Sequence, residues 1–324
     1  MQYDIQVWLK IGAYTGGGLA IGLGAIGAAI GEGYTAAEAN LAISRNPAKA
    51  GEIFKSMLVG QAIAESASIF ALVIAMILLF SDFSSTSFVS VWAVLSAGLA
   101  MGFGAIGSGI GSGLPAAAAC MGTSRQPAMG GRLTTNMLIG SAVCQTPSIF
   151  ALVIGFILIF SDYSAKPFSP TWAAVLGAGL ATGLSAIGSG IGGGLVARAS
   201  CEGIARQPRS AGPVTNIMLL GQAISQTPAI LGLLVGFILI FKGFPGSEAL
   251  APAMALLSAG LCMGIGGLGP GIGEGIAAQG GVTWIARNEE NIGLITRNML
   301  VGMAVAESTA IYAMVIALVL IFVV

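Results

Sequence analysis

Four glutamates of this chain, Glu32, Glu65, Glu274 and Glu307, lie inside strongly apolar stretches; Glu65 sits in AIAESASIF and Glu307 in AVAESTAIY. An ionised side chain at the centre of a bilayer costs about 2.5–3.5 kcal/mol even on insertion scales, so such groups usually mark ion pathways. Their spacing has geometric content. Glu32 and Glu65 are 33 residues apart, as are Glu274 and Glu307, with midpoints at Pro47–Lys49 and within Asn288–Asn291. If each midpoint is the turn of an antiparallel hairpin, both acids of a pair share one depth, roughly 24 Å from the turn at 1.5 Å per residue. Two carboxylates so placed cannot both be ionised cheaply and titrate in coupled steps. The pair would hold one proton, two, or one proton and a small cation. A hard cation favours oxygen ligands. Hydroxyls stand beside both acids: Ser66 and Ser68 at one, Ser308, Thr309 and Tyr312 at the other, with Phe70 in the tyrosine's place at the first. The bland alternative is a shared-proton pair that only fastens two helices together.

The elements that must position these acids repeat. Ser44-Arg45-Asn46-Pro47, Ser124-Arg125-Gln126-Pro127, Ala205-Arg206-Gln207-Pro208 and Ala286-Arg287-Asn288-Glu289 recur about eighty residues apart. Each follows a glycine-rich apolar segment and precedes a second one ending in IAMILLF, IGFILIF, VGFILIF or IALVLIF. The pattern predicts an all-α membrane protein of eight transmembrane helices arranged as four tandem antiparallel helical hairpins. The expected spans are 11–43, 50–80, 89–123, 130–161, 170–204, 211–241, 249–285 and 292–323, in hairpin units 1–84, 85–165, 166–246 and 247–324. With 56% hydrophobic and 8% charged residues, the composition excludes an ordinary soluble domain, where charged residues make up roughly 25%. Zero net charge suggests neither nucleic acid nor an acidic substrate. MQYDIQVWLK lacks the basic start of a secretory signal, so the first apolar run is expected to be retained. Ten of the thirteen Lys and Arg lie at or near the intra-hairpin turns, and Lys10, Lys166 and Lys242 on the opposite side. By the positive-inside rule the turns face the cytoplasm.

At the acid positions the repeats diverge. The second segments read AES, CQT, SQT and AES, placing Gln145 and Gln226 where Glu65 and Glu307 stand in the outer repeats. The partner positions read Glu32, Ser112, Gly193 and Glu274, 33 residues earlier in every repeat. The glutamines can hydrogen-bond but neither carry charge nor exchange a proton. Each is followed by Thr-Pro, where proline frees a backbone carbonyl one turn earlier; the glutamine amide is expected to satisfy it. Gly-x-x-x-Gly and Gly-x-Gly runs, such as Gly107–Gly113 and Gly188–Gly194, trim both flanks of each first segment, which suits an inner circle of closely packed helices. Gly22–Gly27 satisfies the dinucleotide fingerprint, but inside an apolar helix it has no βαβ context. The four cysteines lie in apolar stretches without CxxC spacing and read as small buried hydrophobes, and the absence of histidine removes the usual zinc sites and histidine-based triads.

The glycine-rich helix, the Arg-Asn/Gln-Pro turn, and GQAIAES…IF or GMAVAESTAIY resemble the rotor-ring proteolipid of F-type rotary ATP synthases, their c subunit, four times over. GPGIGEG and AESTAIY resemble its sodium-binding version, and the second carboxylate resembles a two-carboxylate subgroup. The resemblance implies a concentric two-layer ring of hairpins, a homo-oligomer turning against the stator's a subunit, whose arginine prevents leakage of loaded sites. It implies Glu65 and Glu307 as ion-carrying carboxylates with Glu32 and Glu274 as partners. Further ligands would be the main-chain carbonyls of Ile63 and Val305 and the side chains of Ser66, Ser308, Thr309 and Tyr312. Arg45, Arg125, Arg206 and Arg287 would face the central stalk, built of the gamma and epsilon subunits. The coupling ion would be sodium, alternatively the proton, with no covalent cofactor and no catalytic residue. The location would be a bacterial cytoplasmic membrane, among membrane lipids. A vacuolar-type proton-pump proteolipid is the alternative, and a self-contained cation transporter or channel a more distant one, since these repeats are parallel copies.

Overall fold

The computed structural model describes residues 4–323. Its helices are α1 (Ile5–Arg45), α2 (Ala50–Phe80), α3 (Val89–Arg125), α4 (Gly130–Cys144), α5 (Thr146–Phe160), α6 (Phe168–Arg206), α7 (Ala211–Ser225), α8 (Thr227–Phe241), α9 (Leu250–Arg287) and α10 (Ile292–Val323). With each proline-split pair counted as one span, eight helices are long and apolar enough to cross a membrane. In hydrocarbon every backbone polar group must find its partner within the protein, which is why such sequences form long helices.

Each hairpin turns in the same way. Arg45, Arg125, Arg206 and Arg287 end the first helices, and the next residue, Asn46, Gln126, Gln207 or Asn288, swings out to φ between −134° and −145°. A single 3₁₀ turn follows, at Pro47–Lys49, Pro127–Met129, Pro208–Ser210 and Glu289–Asn291. Proline forces the preceding residue out of the helical region and suits the first position of the turn. The fourth turn keeps this geometry with Glu289 in proline's place.

The hairpins stand side by side in chain order. First helices α1, α3, α6 and α9 form one continuous row, each packed most extensively on its sequence neighbours in that row. The second helices line one side of it. Glycine makes the close approach possible. A Cβ added to Gly107 would lie 2.5 Å from the Cα of Ile187, and one on Gly188 would lie 2.8 Å from the Cα of Leu268. Gly27 meets Ile106 in the same manner, whereas the fourth member of this series, Gly269, has nothing within 4 Å. Polar ties join adjacent hairpins: Ser96 Oγ donates to Val175 O at 2.6 Å, and buried Asn136 donates to Ser200 Oγ at 2.9 Å while accepting from Thr215 Oγ1 at 2.8 Å. At the opposite end, Lys166 Nζ donates to Ile240 O at 3.0 Å and Lys242 Nζ to Ile321 O at 3.4 Å. Lys166 thus caps the carbonyl end of α8, the second helix of its own hairpin, and Lys242 that of α10 in the next, where a cation is favoured.

The second spans of hairpins two and three are each divided, at Gln145 and Gln226, where the sequence pattern predicts continuous helices. The carbonyls that Pro147 and Pro228 release belong to Val143 and Ile224. The backbone N–H groups of Gln145 and Gln226 reach those carbonyls. The glutamine amides, expected to fill this role, are directed elsewhere.

Candidate functional site

The neutral repeats display the geometry of the 33-residue spacing most directly. Gln145 Nε2 donates to Ser112 Oγ at 2.7 Å, joining α3 to the end of α4 inside the second hairpin. In the third hairpin a Cβ on Gly193 would lie 3.2 Å from Gln226 Nε2. In the first hairpin Gln61 Nε2, one turn from Glu65, donates to Glu32 O at 3.2 Å, tying α2 to α1 at this level. The spacing therefore brings the partner positions together in the second and third hairpins.

The two acid pairs sit in unlike surroundings. Glu274 on α9 is fully buried, and neither carboxylate oxygen has a hydrogen-bond partner. A buried carboxylate with both oxygens unmatched needs a proton or a cation, because leaving it charged and alone is far too costly. Glu32 is half-buried, Glu307 half-buried and Glu65 exposed. Among the described residues the acids come as pairs, with no cluster of three or more His, Cys, Asp or Glu.

The remaining residues singled out from sequence are placed as follows. Ser66 Oγ donates to Ile63 O at 2.6 Å, Ser308 Oγ to Val305 O at 2.7 Å and Thr309 Oγ1 to Ala306 O at 3.0 Å. These hydroxyls are turned back onto their own helices, the usual local bond of Ser and Thr within a helix. Tyr312 is exposed on α10. Ile63 O has a second donor, Gln145 Nε2 at 3.0 Å, from the following hairpin. So the residue at the carrier position of hairpin two touches its own first helix and, across the seam, the second helix of the hairpin before. Gln222 repeats this crossing one turn away, donating to Gly193 O at 3.0 Å and to Gly140 O at 2.9 Å. Sequence reasoning missed this second contact, since nothing in one hairpin's spacing sets the register of its neighbour.

At the turns, Arg45 Nη1 points to Met121 Sδ at 3.3 Å, Arg206 pairs with Glu202 at 3.4 Å, and Arg287 lies over the Trp284 ring at 4.8 Å. Arg125 is exposed. Asn46 Nδ2 donates to Ser124 O at 3.1 Å, so consecutive turns are tied together.

Fold and site together define a membrane proteolipid of repeated hairpins, some bearing an intramembrane acid pair and some a neutral substitute. The family of the ATP synthase C subunit matches four times, over residues 15–78, 95–158, 176–239 and 257–320, and the chain belongs to that family. It is 33% identical over 227 residues to the A-type ATP synthase K subunit of Methanocaldococcus jannaschii, covering 69% of this chain and 93% of that protein. It is 53% identical over 81 residues to the ATP synthase c subunit of Alkaliphilus oremlandii, covering 25% of this chain and 90% of that protein. The ATP synthase c subunit of Dehalococcoides mccartyi is 53% identical over 73 residues, 22% of this chain and 96% of that protein. The chain is accordingly a rotor-ring proteolipid of a rotary ATP synthase/ATPase membrane sector, a multi-pass integral membrane protein.

Proposed function

We propose that Glu65 and Glu307 carry the coupling ion, each assisted by the acid 33 residues before it, and that Gln145 and Gln226 mark hairpins that turn without carrying. The observation that carries this reading is the Ser112–Gln145 contact at 2.7 Å, which gives the geometry of the site in a neutral copy. Placing Glu274 and Glu307 at the same two positions yields a carboxylate pair whose inner member is buried and unmatched. By the same repeat, the backbone across the seam from Glu307 is that of Ile224, as Ile63 lies across from Gln145. Glu65, in the first hairpin, would find its neighbour only on a second copy of the chain, which agrees with its exposure here.

The cargo on this reading is sodium. Ser66 near Glu65 in sequence, and Ser308, Thr309 and Tyr312 near Glu307, offer with the paired acids the oxygen ligands a hard cation wants, though at Glu65 a phenylalanine stands in the tyrosine's place. Ser66, Ser308 and Thr309 donate their O–H to helix carbonyls and so keep oxygen lone pairs for a cation. We assign the turns to the cytoplasmic side, from the basic residues around them, which is the side of the central stalk. Arg-Asn/Gln-Pro turns and the 53% identity to single-hairpin c subunits favour an F-type assembly. Loading and unloading would take place against the arginine of the stator's a subunit.

Carbodiimide labelling tests the reading. Dicyclohexylcarbodiimide should modify Glu65 and Glu307, sodium should slow the modification, and Gln145 and Gln226 should stay unmodified. Labelling of neither acid would refute the carrier role; labelling indifferent to sodium but slowed at high pH would reassign the cargo to protons.

A further inference from the structure

Four positions break the fourfold repeat on the side of the first-helix row away from the second helices. The equivalents of Tyr34 are Leu114, Leu195 and Ile276, and those of Glu38 are Ala118, Ala199 and Gly280. Arg198 answers to Ala37, Ala117 and Gln279, and Glu202 to Leu41, Met121 and Thr283. Hairpin one thus contributes Tyr34 and Glu38, and hairpin three Arg198 and Glu202, across the small Ala117 and Ala118 of α3. Arg198 reaches over this gap to lie 5.7 Å from the centre of the Tyr34 ring.

These side chains enclose a cavity of about 370 Å³ lined only by α1, α3 and α6. Its charges are Arg45, Arg125, Arg198 and Arg206 against Glu38 and Glu202, an excess of two positive charges. Glu202 is shared by Arg198 at 2.9 Å and Arg206 at 3.4 Å. Among the described residues Arg45 and Arg125 have no carboxylate partner. Such a cavity is built for an anion with several acceptor oxygens, and arginine is the side chain best suited to phosphate.

The surface leading away from the arginines identifies the rest of the ligand. Half-buried Leu95, Leu99, Phe103, Ile106, Ile110 and Leu114 follow one another along α3, and from Leu176 to Leu195 the half-buried positions of α6 include no polar residue. Nineteen helical rises, from Leu95 to Leu114 or Leu176 to Leu195, make an apolar stripe of roughly 28 Å, close to the thickness of the hydrocarbon core. Arg198 lies about two helical turns inside Arg206, where the stripe begins. An amphiphile with an anionic head and acyl chains matches this sequence of surfaces.

We propose that the cavity binds the phosphate of an anionic glycerophospholipid, one per chain, with its acyl chains along the α3 and α6 stripes. The proposal does not depend on which ion the glutamates carry. Native mass spectrometry of the purified, delipidated ring tests it, with dioleoyl phosphatidylglycerol, dioleoyl phosphatidylcholine and inorganic phosphate as separate probes. Phosphatidylglycerol should bind up to one per chain, and more tightly than either other probe. Arg125→Gln, whose side chain has no carboxylate partner to lose, should weaken it about fivefold, the worth of one basic residue beside an anionic lipid. Arg198→Gln should do at least as much, and Glu38→Gln should strengthen binding. Equal binding of the two lipids, inorganic phosphate bound as tightly as the lipid, or indifference to Arg125→Gln and Glu38→Gln would each overturn it. So would lipid excluded in favour of an acidic stalk segment.

Discussion

Gly269→Ala should leave the chain folded and prevent the ring from closing. Within the chain, three glycines of one register each abut the next first helix: Gly27 against Ile106, Gly107 against Ile187 and Gly188 against Leu268. Gly269 is the fourth of the series, and its Cβ position is open. Continuing the series places Ile26 of a second copy against it, and Ile26 is 46% exposed, whereas Ile106 and Ile187 are half-buried. A Cβ on Gly107 would stand 2.5 Å from the Ile187 Cα, where carbon atoms prefer about 3.5–4.0 Å. Backbone cannot rotate away, so the helices would have to separate by about an ångström. Overpacking of this kind costs about 1–3 kcal/mol. At a chain–chain seam that is roughly a fivefold to hundredfold loss in association, repeated at every seam of the ring.

The assay is the ratio of ring to single chain in mild detergent, followed by light scattering or native mass spectrometry, with helix content from circular dichroism as the check on folding. Gly51→Ala is the control, because Gly51 and its equivalents Gly131, Gly212 and Gly293 all have nothing within 4 Å. It should assemble normally. A Gly269→Ala chain that forms rings as well as the parent would show that copies do not join by continuing the first-helix row.

The other expectations concern single contacts. Gln145→Glu replaces a donor to Ile63 O and Ser112 Oγ with a group that can only accept unless protonated; it should create a third carbodiimide-reactive site per chain and raise the ions moved per ATP by half. An unchanged labelling stoichiometry would argue that position 145 cannot carry. Asn136→Ala removes the buried bridge between hairpins two and three and should cost about 1–3 kcal/mol, read as a lower unfolding temperature of the solubilised protein. The N–H and hydroxyl of Ser164 bond to the carboxylate of Asp162 and hold it below its ordinary value of 3.8. That loop contribution is therefore complete above pH 3.8 and fades as pH falls through the lower, folded value; protection of the Ser164 amide from exchange should follow the same course.

How far the sequence reached depended on whether a contact lies within a hairpin or between hairpins. The meeting of Ser112 with Gln145 was legible because an antiparallel hairpin of known turn fixes which residues share a depth. The bond from Gln145 to Ile63 O was not, because register across a seam depends on how deeply first helices interlock through glycine. The proline-released carbonyls show the same limit: the sequence tells which carbonyl is freed, but which donor reaches it depends on small backbone adjustments at Gln145 and Gln226. Asn136 and Arg198 carried a signal that could have been used. Each is a polar or charged residue at a position that is apolar in at least one other repeat, so comparing the four copies for departures would have marked both.

Those departures bear on why four hairpins are joined in one chain. Identical separate hairpins could form a ring of identical sites, but they could not fix an order of unlike ones. Here the order Glu, Gln, Gln, Glu is covalent, so m chains closing a ring give 4m hairpins and, on the proposed reading, 2m carried ions per turn. Adjacent carriers then meet at each chain–chain seam, Glu307 of one copy beside Glu65 of the next, followed by two neutral steps. Fewer ions per turn lets the energy of one ATP work against a steeper gradient, each charge meeting about 2.3 kcal/mol per 100 mV. On that reading the same ratio would make synthesis demand a larger driving force and would gear the rotor toward ATP-driven pumping. Fusion also confines Tyr34, Glu38, Arg198 and Glu202 to one cluster per chain. An asymmetric inner surface and, on the proposed reading, an uneven spacing of carriers thus have one origin: the covalent order of four hairpins that share a fold and differ in a few side chains.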